Sequence, residues 1–129
     1  MDIIRVTSLN LDIYQCVSPH IITDEVIITK EQIKHIKERH PGDYELFSPY
    51  FQEIINSPDY IIQSTKPNTA IILKRLSIDN ITTQTILRLS TTSDSDGIKN
   101  SILTFMKINR KRYERYLRTK RILYRNPDI

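Results

Sequence analysis

Isoleucine-rich runs separated by short polar breaks divide the chain into segments whose hydrophobic periods differ. From Ile3 to Val17, apolar and polar positions alternate weakly among β-branched side chains, which predicts one or two opening strands that include Cys16. Val26-Ile27-Ile28 leads into Thr29, a helix-capping residue, with Gln32 placed three positions on as in a capping box. Along that helix Ile33, Ile36 and His40 share a face, Lys34, His35 and Arg39 lie toward the other sides, and Pro41-Gly42 ends the run. Ser48-Pro49 opens a second helix, with Ile54 and Ile55 on its buried side and Ser57-Pro58 as its stop.

Beyond Asp59 the period changes to two. Strands are predicted at Tyr60 to Ser64, Thr69 to Leu76, Thr85 to Thr91 and Ser101 to Ile108. Turns at Lys66-Pro67-Asn68 and Ile78-Asp79-Asn80, and a polar loop from Thr92 to Gly97, separate them. Asn109 caps a basic helix reaching to about Arg118, and Ile122-Leu123-Tyr124 adds a short last strand. The expected fold is therefore α+β: N-terminal helices packed on a roughly four-stranded antiparallel sheet, with a basic C-terminal helix.

Charge sharpens this picture more than composition does. At 129 residues the chain is of single-domain size, and 39% hydrophobic and 26% charged residues exclude collagen-like, disordered and disulfide-scaffold classes. The formal charge is only +4, yet Lys107 to Arg125 holds nine basic residues against Glu114 alone. That stretch carries a net +8 and leaves the other 110 residues at −4. Such asymmetry points to an anionic partner, nucleic acid before a membrane surface. No apolar run approaches ~18 residues, and Met1-Asp2-Ile3-Ile4-Arg5 lacks the order of a signal peptide, so no membrane partner is expected and the site of action is expected to be cytoplasmic. Cys16 has no cysteine to pair with and no Cys/His cluster has zinc spacing, so neither a disulfide nor a metal site is expected.

Candidate chemistry follows from position on the strands. Strict alternation puts Lys74 with Ala70 and Ile72, Arg88 with Ile86 and Ser90, Thr104 with Ile102 and Met106, and Ser101 with Lys107. These groups make either the solvated face of an antiparallel sheet or a phosphate-binding surface. His35 and His40 flank Arg39 on the first helix, where a histidine is either a proton-transfer group or simply a favourable partner of the helix C-terminus. On the last helix Tyr113, Tyr116 and Leu117 form a packing stripe, while Arg112, Arg115 and Arg118 project as a guanidinium rail that makes polyanion binding salt-dependent.

These pieces occur in a recognisable order. Ile33-Lys34-His35-Ile36-Lys37-Glu38-Arg39-His40-Pro41, Pro58-Asp59-Tyr60-Ile61, Pro67-Asn68-Thr69-Ala70 with Lys74, Lys99-Asn100-Ser101-Ile102-Leu103-Thr104 and Arg112-Tyr113 together resemble the phage-associated branch of the barnase/EndoU/colicin/RelE nuclease superfamily. The resemblance spans roughly Val26 to Tyr124. It implies a nuclease domain at 26–129 behind an N-terminal extension with β segments at 1–25. It further implies metal-free RNA cleavage with no cofactor, frequently in a toxin that a neighbouring immunity protein neutralises. Residue by residue, the resemblance implies His40 and His35 as base and acid, in either order. Lys74 and Arg88 are then holders of the scissile phosphate, Ser101 or Thr104 positions it, and Arg39, Lys107, Arg112, Tyr113, Arg115 and Arg118 contact flanking RNA. The alternatives are an RNA-binding module without catalysis and an antitoxin-like regulator that binds protein.

Overall fold

The computed structural model describes residues 3–129, so Met1 and Asp2, part of the segment read for a signal peptide, lie outside the described residues. Seven strands form one sheet: β1 (Ile3–Ser8), β2 (Glu25–Thr29), β3 (Tyr60–Gln63), β4 (Thr69–Arg75), β5 (Thr82–Arg88), β6 (Asn100–Ile108) and β7 (Ile122–Arg125). Their spatial order is β1-β2-β6-β5-β4-β3-β7. The predicted meander is its centre, since β3 to β6 pair consecutively and antiparallel. The expectation of about four strands is corrected to seven. A β1–β2 hairpin joins at one edge through a parallel β2–β6 pairing, and β7 joins antiparallel to β3 at the other.

The helices are α1 (Leu11–Tyr14), α2 (Lys30–Arg39), α3 (Asp43–Phe47), α4 (Phe51–Asn56) and α5 (Arg110–Thr119). The α1 turn falls where strand was expected. Asn10 caps it by accepting from the Asp12 N–H, and Cys16 sits just past its end rather than on a strand. Thr29 caps α2 as expected, its hydroxyl accepting from the Gln32 N–H at 3.1 Å. Ser48-Pro49 opens a single tight turn, Ser48–Tyr50, that runs directly into α4, whose buried Ile54 and Ile55 and end at Ser57 are as expected. No helix among the described residues is long and apolar enough to cross a membrane.

Side chains leave the sheet on two faces, and each face has its own core. Ile61, Ala70, Ile72, Leu87, Ile102 and Phe105 meet Ile33, Ile36, Phe47, Phe51, Ile54 and Ile55 of α2 to α4. Phe105 lies between Phe47 and Phe51, ring centres 5.5 and 5.3 Å away. On the other face Ile62, Leu73 and Ile108 are covered by Tyr113, Tyr116 and Leu117 of α5, the predicted packing stripe. One extra residue decides which β6 side chains join which core. Leu87 pairs with Ile102 and Ile86 with Thr104, so Leu103 is a bulge. Thr104 consequently shares the α5 face with Ser101 and Met106, and Lys107 the α2–α4 face with Ile102 and Phe105, reversing the strict-alternation reading of both residues.

Candidate active site

At one end of the central strands, the face packed on α2 to α4 changes from apolar to charged. Lys107 pairs across the ladder with Thr83, and Thr83 with Lys74, so the three form a row over β6, β5 and β4 on that face. The Thr83 hydroxyl donates to the Lys74 carbonyl at 2.9 Å. Lys74 Nζ, on a side chain only 12% exposed, lies 3.6 Å from Asp59 Oδ1 and 3.9 Å from Glu53 Oε2. Asp59 is itself held in place, because its Oδ2 accepts the Arg75 N–H at 2.8 Å.

The turn after α2 closes the row. His40 ends the helix, its N–H donating to the Ile36 carbonyl at 2.8 Å, and it is half-buried. Gly42 follows with φ +84°, a left-handed conformation that side-chain-bearing residues rarely adopt. That reversal lets the Asp43 N–H donate back to the His40 carbonyl at 3.1 Å. The buried Asp43 carboxylate then lies 3.6 Å from Lys107 Nζ. His40, Asp43, Lys107, Thr83 and Lys74 are thus connected through one chain of contacts. The three carboxylates fix the ammonium groups in place, and the turn that carries His40 adjoins them through Asp43.

Other predicted residues lie elsewhere. His35 is half-exposed and 3.9 Å from Glu31 on the same helix. Five residues from His40, it is rotated by roughly 140° about α2, so the two histidines do not face one point. Arg39 is exposed on the same helix. Arg88 lies on the α5 face, flanked by Thr69 and Ser101, with Thr104 opposite Ile86 nearby. Lys74 and Arg88 are five ladder positions apart, about 17 Å, and on opposite faces, so the structure does not bring them to one phosphate. Arg88 instead ties down the loop after β5, donating to the Leu89 carbonyl and pairing with Asp94 at 2.9 Å. The Thr91 N–H, and after it the Arg88 guanidinium, hold the Asp94 carboxyl below its ordinary pKa.

The basic helix lies across the α5 face. Asn109 caps it by accepting from the Arg112 N–H at 2.8 Å. Arg112 Nε donates to the Tyr116 hydroxyl at 2.9 Å, and Arg112, Arg115 and Lys120 all sit over the Tyr116 ring at 5.4, 5.9 and 5.6 Å. Arg110 pairs with Glu114 at 2.8 Å, but among the described residues no carboxylate pairs with Lys111, Arg112, Arg115 or Arg118. Tyr113 packs edge-on against Tyr60, and burial pushes its phenol pKa up.

Reasoning from the sequence missed Asp43, Glu53, Thr83 and the structural role of Asp59. Asp59 stood within a quoted motif, but the others lie in segments read as helix, turn or connector. No curated protein and no solved structure matches the chain. A family model does, over residues 9–125, described as phage-Barnase-EndoU-ColicinE5/D-RelE like nuclease2. The match covers both the His40–Lys107–Lys74 row and the guanidinium rail, and the chain belongs to this family of phage-associated nucleases.

Proposed function

We propose that this nuclease cuts RNA without a metal ion, by attack of the ribose 2′-oxygen on the adjacent phosphorus. His40 takes the 2′-hydroxyl proton. The new O2′–P bond forms as the P–O5′ bond breaks, leaving a 2′,3′-cyclic phosphate and a 5′-hydroxyl. Lys107 and Lys74 stabilise the negative charge that builds on the phosphorane oxygens. Lys107, joined to the His40 turn through Asp43, supplies the proton for O5′. The rail of Arg112, Arg115 and Arg118 draws in the polyanion, and Arg88, Ser101 and Thr104 on the same face contact flanking RNA. His35 and Arg39, exposed on α2, do likewise on the other side.

The observation that supports this reading is the row of Lys74, Thr83 and Lys107 at one sheet end, joined through Asp43 to the turn that carries the half-buried His40. The biological role that fits is a toxin acting on cytoplasmic RNA such as transfer RNA, held in check by an immunity protein. Purified protein in EDTA is expected to yield RNA fragments ending in 2′,3′-cyclic phosphate, and sequencing RNA ends after brief induction in a growth-arrested bacterium names the substrate. RNA left whole at wide enzyme excess overturns the reading.

One observation favours a second reading, an RNA-binding module without catalysis. Lys74 and Lys107 already have carboxylate partners, and the three carboxylates outnumber the two lysines. That module binds RNA salt-sensitively and produces no cyclic phosphate.

A further inference from the structure

The turn between β3 and β4 forms one wall of a cavity of about 390 Å³ at the sheet end opposite His40. Lys66 comes from this turn, and Arg121 from the segment leading into β7. A shallower adjoining cavity shares Ser64, Thr65 and Arg121 and adds Lys120. Neither cavity is lined by any Asp or Glu. Of the other clefts, one beside α4 contains Glu53 and the one beside the start of α5 contains Asp59 with Glu114, while the cleft between β1 and the start of α4 lacks a carboxylate but holds one cation, Arg5, instead of a cluster. Among the described residues no carboxylate pairs with Lys66, Lys120 or Arg121.

The cavity walls are built on fixed backbone. Asn68 takes φ +54°, its carbonyl accepts the Leu89 N–H at 2.8 Å, and its side chain accepts from the Ser18 hydroxyl at 2.9 Å. Ser64 Oγ accepts the Lys66 N–H at 3.1 Å. The Gln63 N–H donates to the Arg121 carbonyl at 2.9 Å, locking the Arg121 segment to the end of β3. Cations on such a frame lose little freedom when they grip an anion. Val17 and Leu123 add an apolar wall.

We infer that this cavity is a nucleotide subsite, resting on the reading of the chain as an RNA-binding nuclease. Lys66 and Arg121 hold a backbone phosphate, with its base against Val17 and Leu123. The size admits one nucleotide unstacked from its neighbours, which selects single-stranded RNA over a duplex. The subsite lies a few nucleotides from the cut. Helix α5 starts beside the end of β6 that pairs with Thr82, near Lys74 and Lys107, and finishes beside Arg121, a length of about 15 Å lined with Arg115 and Lys120.

The test measures binding of single-stranded RNA of about twelve nucleotides, 2′-O-methylated so that no 2′-hydroxyl can attack, by fluorescence anisotropy over a range of salt. Lys66→Gln with Arg121→Gln is expected to weaken binding about tenfold and to lower the salt slope by about 1.4, the share of two phosphate contacts on a single strand. Lys34→Gln with Arg5→Gln, the same charge change on α2 and the far edge strand, is expected to stay within about twofold of the original protein. Equal weakening by both pairs, or none by the cavity pair, overturns the inference. Cleavage of unmodified RNA is scored separately: binding that depends on the cavity without cleavage sinks the catalytic reading alone, and cleavage with cavity-independent binding sinks the subsite alone.

Discussion

The two cationic regions of this protein differ in how their charges are balanced. At the His40 corner each lysine faces a carboxylate: Lys107 has Asp43, and Lys74 has Asp59 with Glu53. On α5 the guanidinium groups of Arg112 and Arg115 share a tyrosine ring with Lys120 and have no carboxylate partner among the described residues. Paired charge gives little long-range attraction but fixes atoms in position, which is what a reaction centre requires. Charge without a carboxylate partner attracts phosphate from a distance and at the expense of bound counterions. The division suggests that affinity and chemistry can be removed separately.

His40→Ala gives the largest expected separation: RNA cleavage falls at least 100-fold, the usual scale of a general base, while RNA affinity and the unfolding midpoint stay close to the original. Loss of affinity equal to loss of rate would erase the distinction between the two regions. Next comes stability. Lys74→Met leaves the buried Asp59 carboxylate facing no cation and is expected to cost about 3 kcal/mol in urea unfolding, whereas Arg115→Gln on the exposed rail stays within about 0.5 kcal/mol. Replacing Arg112, Arg115 and Arg118 together by Gln is expected to lower the slope of log affinity against log salt by about 2, without altering the pH dependence of cleavage.

The smallest effect concerns Arg88, a cation on the α5 face that does have an acidic partner. Asp94 is held below its ordinary pKa of 3.8, so the tether it makes is present above that value and is lost as pH falls through the depressed one. Amide exchange at Thr91, whose N–H Asp94 accepts, is expected to rise relative to neighbouring strands only as pH falls below the ordinary 3.8 and through the depressed value. Asp94→Asn reproduces that loosening at neutral pH.

The meander was readable because its strands alternate over most of their length, and α2 because Thr29, Ile33 and Ile36 follow the rules for a capped amphipathic helix. The first residues of β5 were not, since the polar run Thr82-Thr83-Gln84 has no apolar alternation and the strand was expected to begin only at Thr85. They are buried because one face is covered by helices and the other by α5. The Leu103 bulge left no mark on the pattern, as alternation holds on either side of an inserted residue, yet it moved Lys107 and Thr104 to faces opposite those expected. Of the charged row, only some members stood out in the sequence. His40, Lys74 and Lys107 carry distinctive chemistry, but their organising carboxylates come from three separate segments, and only the folded chain brings them into contact.

Asn100 has a consequence for the order in which the chain assembles. Its side chain accepts the Ser90 N–H at 2.8 Å and donates to the Thr23 carbonyl at 2.7 Å, a contact across 77 residues. Only two rungs, Val26–Asn100 and Ile27–Ser101, join β2 to β6. The hairpins from β3 to β6 close short loops and can form early, whereas the β1–β2 hairpin must find an edge that does not exist until β6 is in place. Asn100 acts as the latch for that late docking, and the N-terminal hairpin is the part of the sheet expected to open first under native conditions, ahead of the strands that carry Lys74 and Lys107.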